Sequence, residues 1–199
     1  MTFSTHLSYN LSFEDFFKLP ETKPASEYID GKIYQKPMPQ GKHSRIRTEL
    51  SSAINNLSEY QRKALALIEL RCTFDASSLV PDIAVFDWSR IPVDDNEEIA
   101  NRFEIYPDWI IEILSPDQFA NRVINKIIFC LKQGTKLGWL IDPDDKSVMV
   151  FQPNQLPEVK YDQDKLLVLD VLADWQVSPA DIFSWLKIET QRGAELSAE

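Results

Sequence analysis

Apolar residues recur at helical spacing in two long segments of the chain. Between residues 43 and 63 they fall every three or four positions, which is the period of one helix face. A second such segment starts at Ser115-Pro116-Asp117 and runs to about residue 132, and Gly134 favours its termination. Two shorter helices are predicted where a serine precedes an apolar run, after Ser12 and, following Ser178-Pro179, at residues 180–186.

Runs of β-prone residues predict the strands. Residues 109–114 (WIIEIL) are almost continuously apolar, which is typical of a strand buried on both faces. Asp30-Gly31, in the middle of residues 28–34, predicts a hairpin with a two-residue turn. The other predicted strands are residues 65–70, 78–86, 137–141, 147–151 and 165–172.

The order of these elements predicts one domain over residues 1–199, α/β in class, with a mixed β-sheet flanked by helices. Its ordered core is expected at residues 14–187, and residues 190–199 are expected to be a frayed tail. The 199 residues suffice for one sizeable core, and a composition with 44% hydrophobic and 26% charged residues is that of a globular protein.

Composition also excludes several classes of protein. No run of 18 or more apolar residues exists, so no membrane span is expected, and the N-terminus lacks the pattern of a signal peptide. A cytoplasmic location is therefore predicted, with Cys72 and Cys130 as reduced thiols. Two Cys and two His are too few and too scattered for a structural zinc site.

Charge is distributed unevenly around a net charge of −10, which by itself argues against binding to phosphates. Residues 32–71 carry eight Lys/Arg and three Glu, residues 75–118 eleven acids and two Arg, and residues 119–138 four Lys/Arg and no acid. A metal site flanked by phosphate-binding surface would produce this pattern. Scattered solvated charge would produce it equally well.

Two carboxylates, Asp82 and Glu112, interrupt otherwise apolar β-prone runs. One such residue usually lies at a sheet edge and faces water, but two on successive long strands indicate pairing or a bound cation. Carboxylate oxygens suit Mg²⁺ or Mn²⁺. Without the cation the two carboxylates should repel each other, so replacing Asp82 is expected to leave stability unchanged or to raise it.

A Pro-Asp pair, then an acid on a strand some thirty residues later, then a lysine, resembles the signature of the PD-(D/E)XK nuclease superfamily. More specifically, six stretches in order resemble the Uma-two family of bacterial endonucleases. They are EYIDGKI at 27–33, GKH at 41–43, VPDI at 80–83, IEILSP at 111–116, NK at 125–126 and GWLIDP at 138–143.

The resemblance implies a restriction-endonuclease-like fold and a Mg²⁺- or Mn²⁺-dependent endonuclease that hydrolyses phosphodiester bonds of nucleic acid, with DNA as the expected substrate. It implies that Glu27 joins Asp82 and Glu112 as metal-binding acids, although Glu27 could equally cap or pair at the surface. His43 and Arg122 are candidate substrate contacts, and His43 could instead be a surface residue at a helix start. A homodimer would allow a double-strand cut.

The chain departs from the superfamily pattern at the lysine, because Leu114 stands two residues after Glu112 where the motif has Lys. Residues two apart on a strand project from the same face, so Leu114 leaves that face without its ammonium group. Lys126 on the following predicted helix is the candidate replacement, as a catalytic residue with Asp82 and Glu112. The alternative is a catalytically inactive nuclease-fold protein that serves in binding or assembly.

Overall fold

The computed structural model describes residues 11–116 and 118–188, which form four helices and ten strands. The helices are α1 (Phe13–Phe16), α2 (Gly41–Ser58), α3 (Ala120–Gln133) and α4 (Pro179–Ser184). The strands are β1 (Ser26–Ile29), β2 (Lys32–Gln35), β3 (Ala64–Ile68), β4 (Cys72–Phe74), β5 (Ser77–Leu79), β6 (Ile83–Asp87), β7 (Trp109–Ile113), β8 (Leu137–Asp142), β9 (Ser147–Phe151) and β10 (Glu158–Tyr161). The tail at 190–199 and Asp117 lie outside the described residues.

The strands form two sheets flanked by helices, so the prediction of a mixed α and β fold is confirmed. The four-stranded sheet has the order β2-β1-β5-β4, and the six-stranded sheet has the order β10-β9-β8-β7-β6-β3. β7 and β8 pair in parallel, and the other pairs among these strands are antiparallel. None of the described helices is long and apolar enough to cross a membrane.

The predicted strand at residues 78–86 was wrong as a single element. Pro81 has no N–H to donate to a β-ladder, and the strand breaks there. Residues before the break belong to β5 in the four-stranded sheet, and those after it belong to β6 in the six-stranded sheet. Val80-Pro81-Asp82 therefore cross from one sheet to the other, and Asp82 lies just before β6 rather than inside a strand.

The other differences between the predicted and the observed elements are smaller. The predicted strand at 165–172 was wrong: Leu166 N donates to Val177 O at 3.0 Å, and the segment ends in a 3-10 turn at Asp170–Leu172. Helix α2 starts two residues earlier than expected and ends five residues earlier. Strands β4 and β10 were not predicted. The turn between β4 and β5 is Asp75-Ala76, and both residues have positive φ. Because this turn contains no glycine, the sequence does not indicate a hairpin there.

Strand β7 is buried on both faces because α2 and α3 cover opposite sides of the six-stranded sheet. Ile111 packs in the cluster that contains the α2 residues Ile46, Leu50 and Ile54. Ile110 packs in the cluster that contains Val123, Ile127 and Cys130 of α3. Side chains two apart on a strand share a face, so Glu112 projects toward α3, as Ile110 does.

Helix α3 approaches β8 closely at Gly138. A Cβ at Gly138 would lie 2.4 Å from Ile127 Cγ2 and 3.4 Å from Phe151 Cβ. We expect Gly138→Ala to lower the free energy of unfolding by about 1–3 kcal/mol through overpacking, as measured by urea denaturation. The matched control is Gly41→Ala, whose Cβ would meet nothing within 4 Å. An equal loss in both variants would contradict this account.

Candidate active site

Asp82 is buried at the crossing between the two sheets and is held from three sides. Its Oδ1 accepts a hydrogen bond from Lys36 Nζ at 2.6 Å. Its Oδ2 accepts one from the backbone N of Ile113 at 2.8 Å and lies 3.1 Å from His43 Nε2. Burial acts to raise the pKa of Asp82, but its interactions with Lys36 and His43 outweigh it and hold the pKa well below its usual range.

Lys126 extends from α3 to the carboxylates of Glu112 on β7 and Glu27 on β1. Its Nζ lies 2.7 Å from Glu112 Oε1, and it also donates to Glu27 Oε1. Lys126, Glu27 and Glu112 are all buried. The interaction therefore joins one strand of each sheet to the helix that covers them.

The backbone of Val80 connects the Asp82 contacts to the Lys126 contacts. Its N–H donates to Glu27 Oε1 at 2.7 Å. Its carbonyl oxygen accepts from Lys36 Nζ at 2.7 Å and from Lys126 Nζ at 3.3 Å. We refer to Glu27, Lys36, Asp82, Glu112 and Lys126 together as the charged cluster.

The charged cluster contains three carboxylates and only two ammonium groups. Burial, reinforced by the charge of Asp82, raises the pKa of Glu112 to about 7, even though Lys126 acts to lower it. The pKa of Lys126 is itself raised, because Glu112 and Glu27 outweigh the effect of burial. Glu112 Oε1 has no aligned hydrogen-bond donor, only the ammonium contact. Glu112 is thus the carboxylate that is least well stabilised as an anion.

A cleft of about 410 Å³ opens onto the Asp82 side of the charged cluster. Lys36, His43 and Asp82 line it. Its remaining walls come from Thr22, Lys23, Pro24, Ala25, Pro37, Met38, Pro39, Glu69, Val80 and Gln118. A smaller cavity of about 210 Å³ also includes His43, together with Leu114. Glu27, Glu112 and Lys126 are not among the residues that line either space.

Most of the residues singled out in the sequence meet at this place. Asp82, Glu112, Glu27, Lys126 and His43 are brought together. Arg122 is not: it is exposed, and its guanidinium lies over the rings of Phe119 at 5.0 Å and Tyr34 at 5.8 Å. Lys36 was missed, because a single lysine between a short strand and a proline carries no recognisable pattern.

Metal ligation by these acids stays a prediction. Within residues 11–116 and 118–188, no three His, Cys, Asp or Glu side chains are placed to hold one metal ion. Glu27 contacts Lys126 and the Val80 N–H instead, and its predicted role as a third ligand is not tested by this arrangement.

Comparison with known proteins decides the family. A match to the Uma2 family, described as "Putative restriction endonuclease", spans residues 13–181. The chain belongs to the Uma2 family. The resemblance found in the six sequence stretches is thereby confirmed, and the family description supports assignment to the nucleases.

A solved structure supports the same assignment of this Uma2 protein. It is the crystal structure of "a putative nuclease belonging to DUF820" from Anabaena variabilis ATCC 29413. The two chains are 54% identical, with 89% of this chain and 99% of that chain covered and a TM-score of 0.87. A comparison with curated proteins finds no match.

The contacts of Asp82 predict that its replacement lowers stability, whereas the sequence alone predicted unchanged or increased stability. Lys36 would lose its counter-ion, and the buried N–H of Ile113 would lose its acceptor. We expect Asp82→Ala to lower the free energy of unfolding of the metal-free protein by about 3–5 kcal/mol, as measured by urea denaturation in EDTA. The double variant Asp82→Ala/Lys36→Met should recover part of the loss. Unchanged or increased stability in Asp82→Ala would contradict the ion pair.

The raised pKa of Glu112 predicts how stability depends on pH. A carboxyl with a folded-state pKa of about 7 and an ordinary value of 4.5 binds its proton more tightly in the folded state. Its contribution is therefore complete below about pH 4.5 and is lost as the pH rises through 7. We expect the metal-free protein to lose about 3 kcal/mol over this interval in urea denaturation, and Glu112→Gln to lack this loss. Parallel pH profiles in both proteins would contradict the assignment.

Proposed function

We propose that this protein is a Mg²⁺-dependent endonuclease, also able to use Mn²⁺, that hydrolyses phosphodiester bonds of DNA. The observation that carries the proposal is the charged cluster, in which three buried carboxylates and two ammonium groups meet beside a cleft. Buried ions contribute little to stability compared with an apolar core, so a functional reason for them is favoured. Membership of the Uma2 family supports the reaction class.

The donor set fits a small divalent cation. Asp82 and Glu112 offer carboxylate oxygens from adjoining elements, and Asp82 lies close enough to raise the pKa of Glu112. Glu112 Oε1 has no aligned hydrogen-bond donor but lies 2.7 Å from the ammonium of Lys126, so a bound cation would share this carboxylate with Lys126. Mg²⁺ is commonly held by one or two carboxylates with water and substrate phosphate completing its shell, so a third acid is not required. When bound, the ion would supply Lewis acidity and an activated water.

The chain's own groups then have separate roles. Lys126 brings its ammonium to Glu112, which is the charge that the motif lysine would have supplied from position 114. Such a charge stabilises negative charge that develops at the reacting phosphate. His43 Nε2 and the Ile113 N–H orient Asp82, since both contact Oδ2. His43 also lines the cleft, where it would contact the substrate.

One observation favours the alternative of an inactive binding or assembly protein. Lys36 and Lys126 pair with Asp82 and Glu112, so the cluster is also a workable structural ion network. The two proposals differ in one observable respect. Only the endonuclease would cleave DNA, and it would do so only with a divalent cation.

Cleavage of plasmid, linear duplex and single-stranded DNA, with RNA alongside, tests the endonuclease. We expect cleavage of DNA with Mg²⁺ or Mn²⁺ and none in EDTA. Asp82→Asn and Glu112→Gln should abolish it, because each removes a ligand charge without changing shape. Lys160→Met, on the surface strand β10, should cleave normally. Absence of cleavage by the native protein with every substrate and ion would favour the inactive alternative.

The role of Lys126 has its own test. We expect Lys126→Met to cleave about a hundredfold more slowly or worse, since one electrostatic contact to the reacting group is lost. Lys126→Met/Leu114→Lys should recover part of the rate by returning the ammonium from the strand side. Thermal denaturation must show both variants folded at the assay temperature. Full activity in folded Lys126→Met would remove Lys126 from the mechanism.

A further inference from the structure

Lys36 is the member of the charged cluster for which the sequence pattern offers no role. It follows β2 directly, and its backbone N–H donates to Ala25 O at 3.0 Å, so its position on the four-stranded sheet is fixed. Its side chain, only 11% exposed, reaches Asp82 Oδ1 at 2.6 Å and Val80 O at 2.7 Å. It lines the cleft, whereas Lys126 does not.

The ammonium of Lys36 occupies the position at Asp82 Oδ1 that a metal ion would also seek. A divalent cation bound to the same carboxylate would lie within a few ångströms of the ammonium and repel it strongly in this buried setting. Close contact of both cations with Oδ1 is therefore disfavoured, so each cation competes with the other for this oxygen.

Lys36 is the cation that can leave at small loss. Asp82 would keep its contacts with the Ile113 N–H and His43, and Val80 O would keep Lys126 as a donor at 3.3 Å. Lys126, by contrast, is held by two carboxylates. A displaced Lys36 side chain would remain beside the cleft, where its ammonium could pair with a bound anion.

We propose that Lys36 is a resident counter-ion of Asp82 that competes with the divalent cation and turns to the phosphate group of the substrate when the cation binds. The inference rests on the proposed function, because it presupposes a cation at Asp82. It makes metal and anion binding mutually strengthening: an anion that attracts Lys36 frees Asp82, and a cation at Asp82 frees Lys36. Lys36 is thus a positioning residue that couples metal loading to occupation of the cleft.

Titration with Mn²⁺ in the absence of nucleic acid tests the competition, with free Mn²⁺ measured by electron paramagnetic resonance. We expect Lys36→Met to bind Mn²⁺ at least about tenfold more tightly than the native protein, because the competing charge is gone. Lys36→Arg, which keeps the charge, should not bind more tightly. Lys160→Met is matched in net charge and lies on β10, four strands from β6 and about 19 Å away. It should bind as the native protein does.

Sulfate in place of chloride, at equal ionic strength, tests the coupling with a simple tetrahedral anion. We expect sulfate to tighten Mn²⁺ binding to the native protein severalfold and to have no such effect on Lys36→Met. Sulfate effects of equal size in the two proteins would overturn the coupling, since the anion would then act elsewhere.

The same titrations separate failure of this inference from failure of the proposed function. Asp82→Asn should bind Mn²⁺ far more weakly, which locates the ion. If binding depends on Asp82 but Lys36→Met, shown to be folded by circular dichroism, binds no more tightly than the native protein, the competition is wrong and the metal site stands. If no protein shows Asp82-dependent Mn²⁺ binding, the metal site of the proposed function is wrong, and the role of Lys36 falls with it.

Discussion

The ion pairs of Lys126 are the interaction on which the rest of the site depends. A single buried ammonium joins α3 to Glu112 on β7 and to Glu27 on β1, and so connects the two sheets. Removing one partner from a buried ion pair typically costs several kcal/mol, because the remaining charge is left without solvent or counter-charge. The position of α3 against the sheet, which the close approach at Gly138 permits, therefore also determines where the ammonium lies.

The second constraint is the crossing at Val80-Pro81-Asp82. Proline cannot extend a ladder on its N–H side, so the chain leaves the four-stranded sheet there and enters the six-stranded sheet with Ile83. The free peptide groups at the crossing are satisfied by charged side chains: Val80 N–H by Glu27, and Val80 O by Lys36 and Lys126. The break in the strand thus leaves peptide groups of Val80 to be satisfied by charged side chains from other elements.

The sequence predicted those features that repeat along the chain or involve special backbone residues. The helical period marked α2 and α3, Asp30-Gly31 marked the β1–β2 hairpin, and the apolar run at 109–114 marked β7. The hairpin at Asp75-Ala76 was missed because alanine is a rare choice at positive φ. Residues 165–172 have strand-like composition, but Leu166 bonds to Val177 rather than to a neighbouring strand.

Part of the candidate site was predicted where a charged residue interrupted or bordered an apolar pattern, and Glu27 and His43 came from the family resemblance. Asp82 and Glu112 were visible because a charge inside an apolar run demands explanation, and Lys126 because it borders the apolar stripe of its helix. Lys36 breaks no pattern: it lies between the end of β2 and Pro37, and its side chain is positioned by tertiary contacts with Asp82 and Val80. A pairing across 46 positions of sequence cannot be read from local spacing.

The replacement of the motif lysine by Leu114 illustrates how a charge can be preserved by geometry rather than by spacing. Leu114 lies just past the end of β7 and packs with the apolar cluster beneath α3. A lysine at position 114 would approach Glu112 along the strand, whereas Lys126 reaches it from α3. Because its ammonium comes from α3, Lys126 also contacts Glu27. A lysine on β7 would reach Glu27 only across the interface between the two sheets. The departure from the motif therefore does not leave the acids without a cation; it ties the cation to a second carboxylate and to the packing of α3.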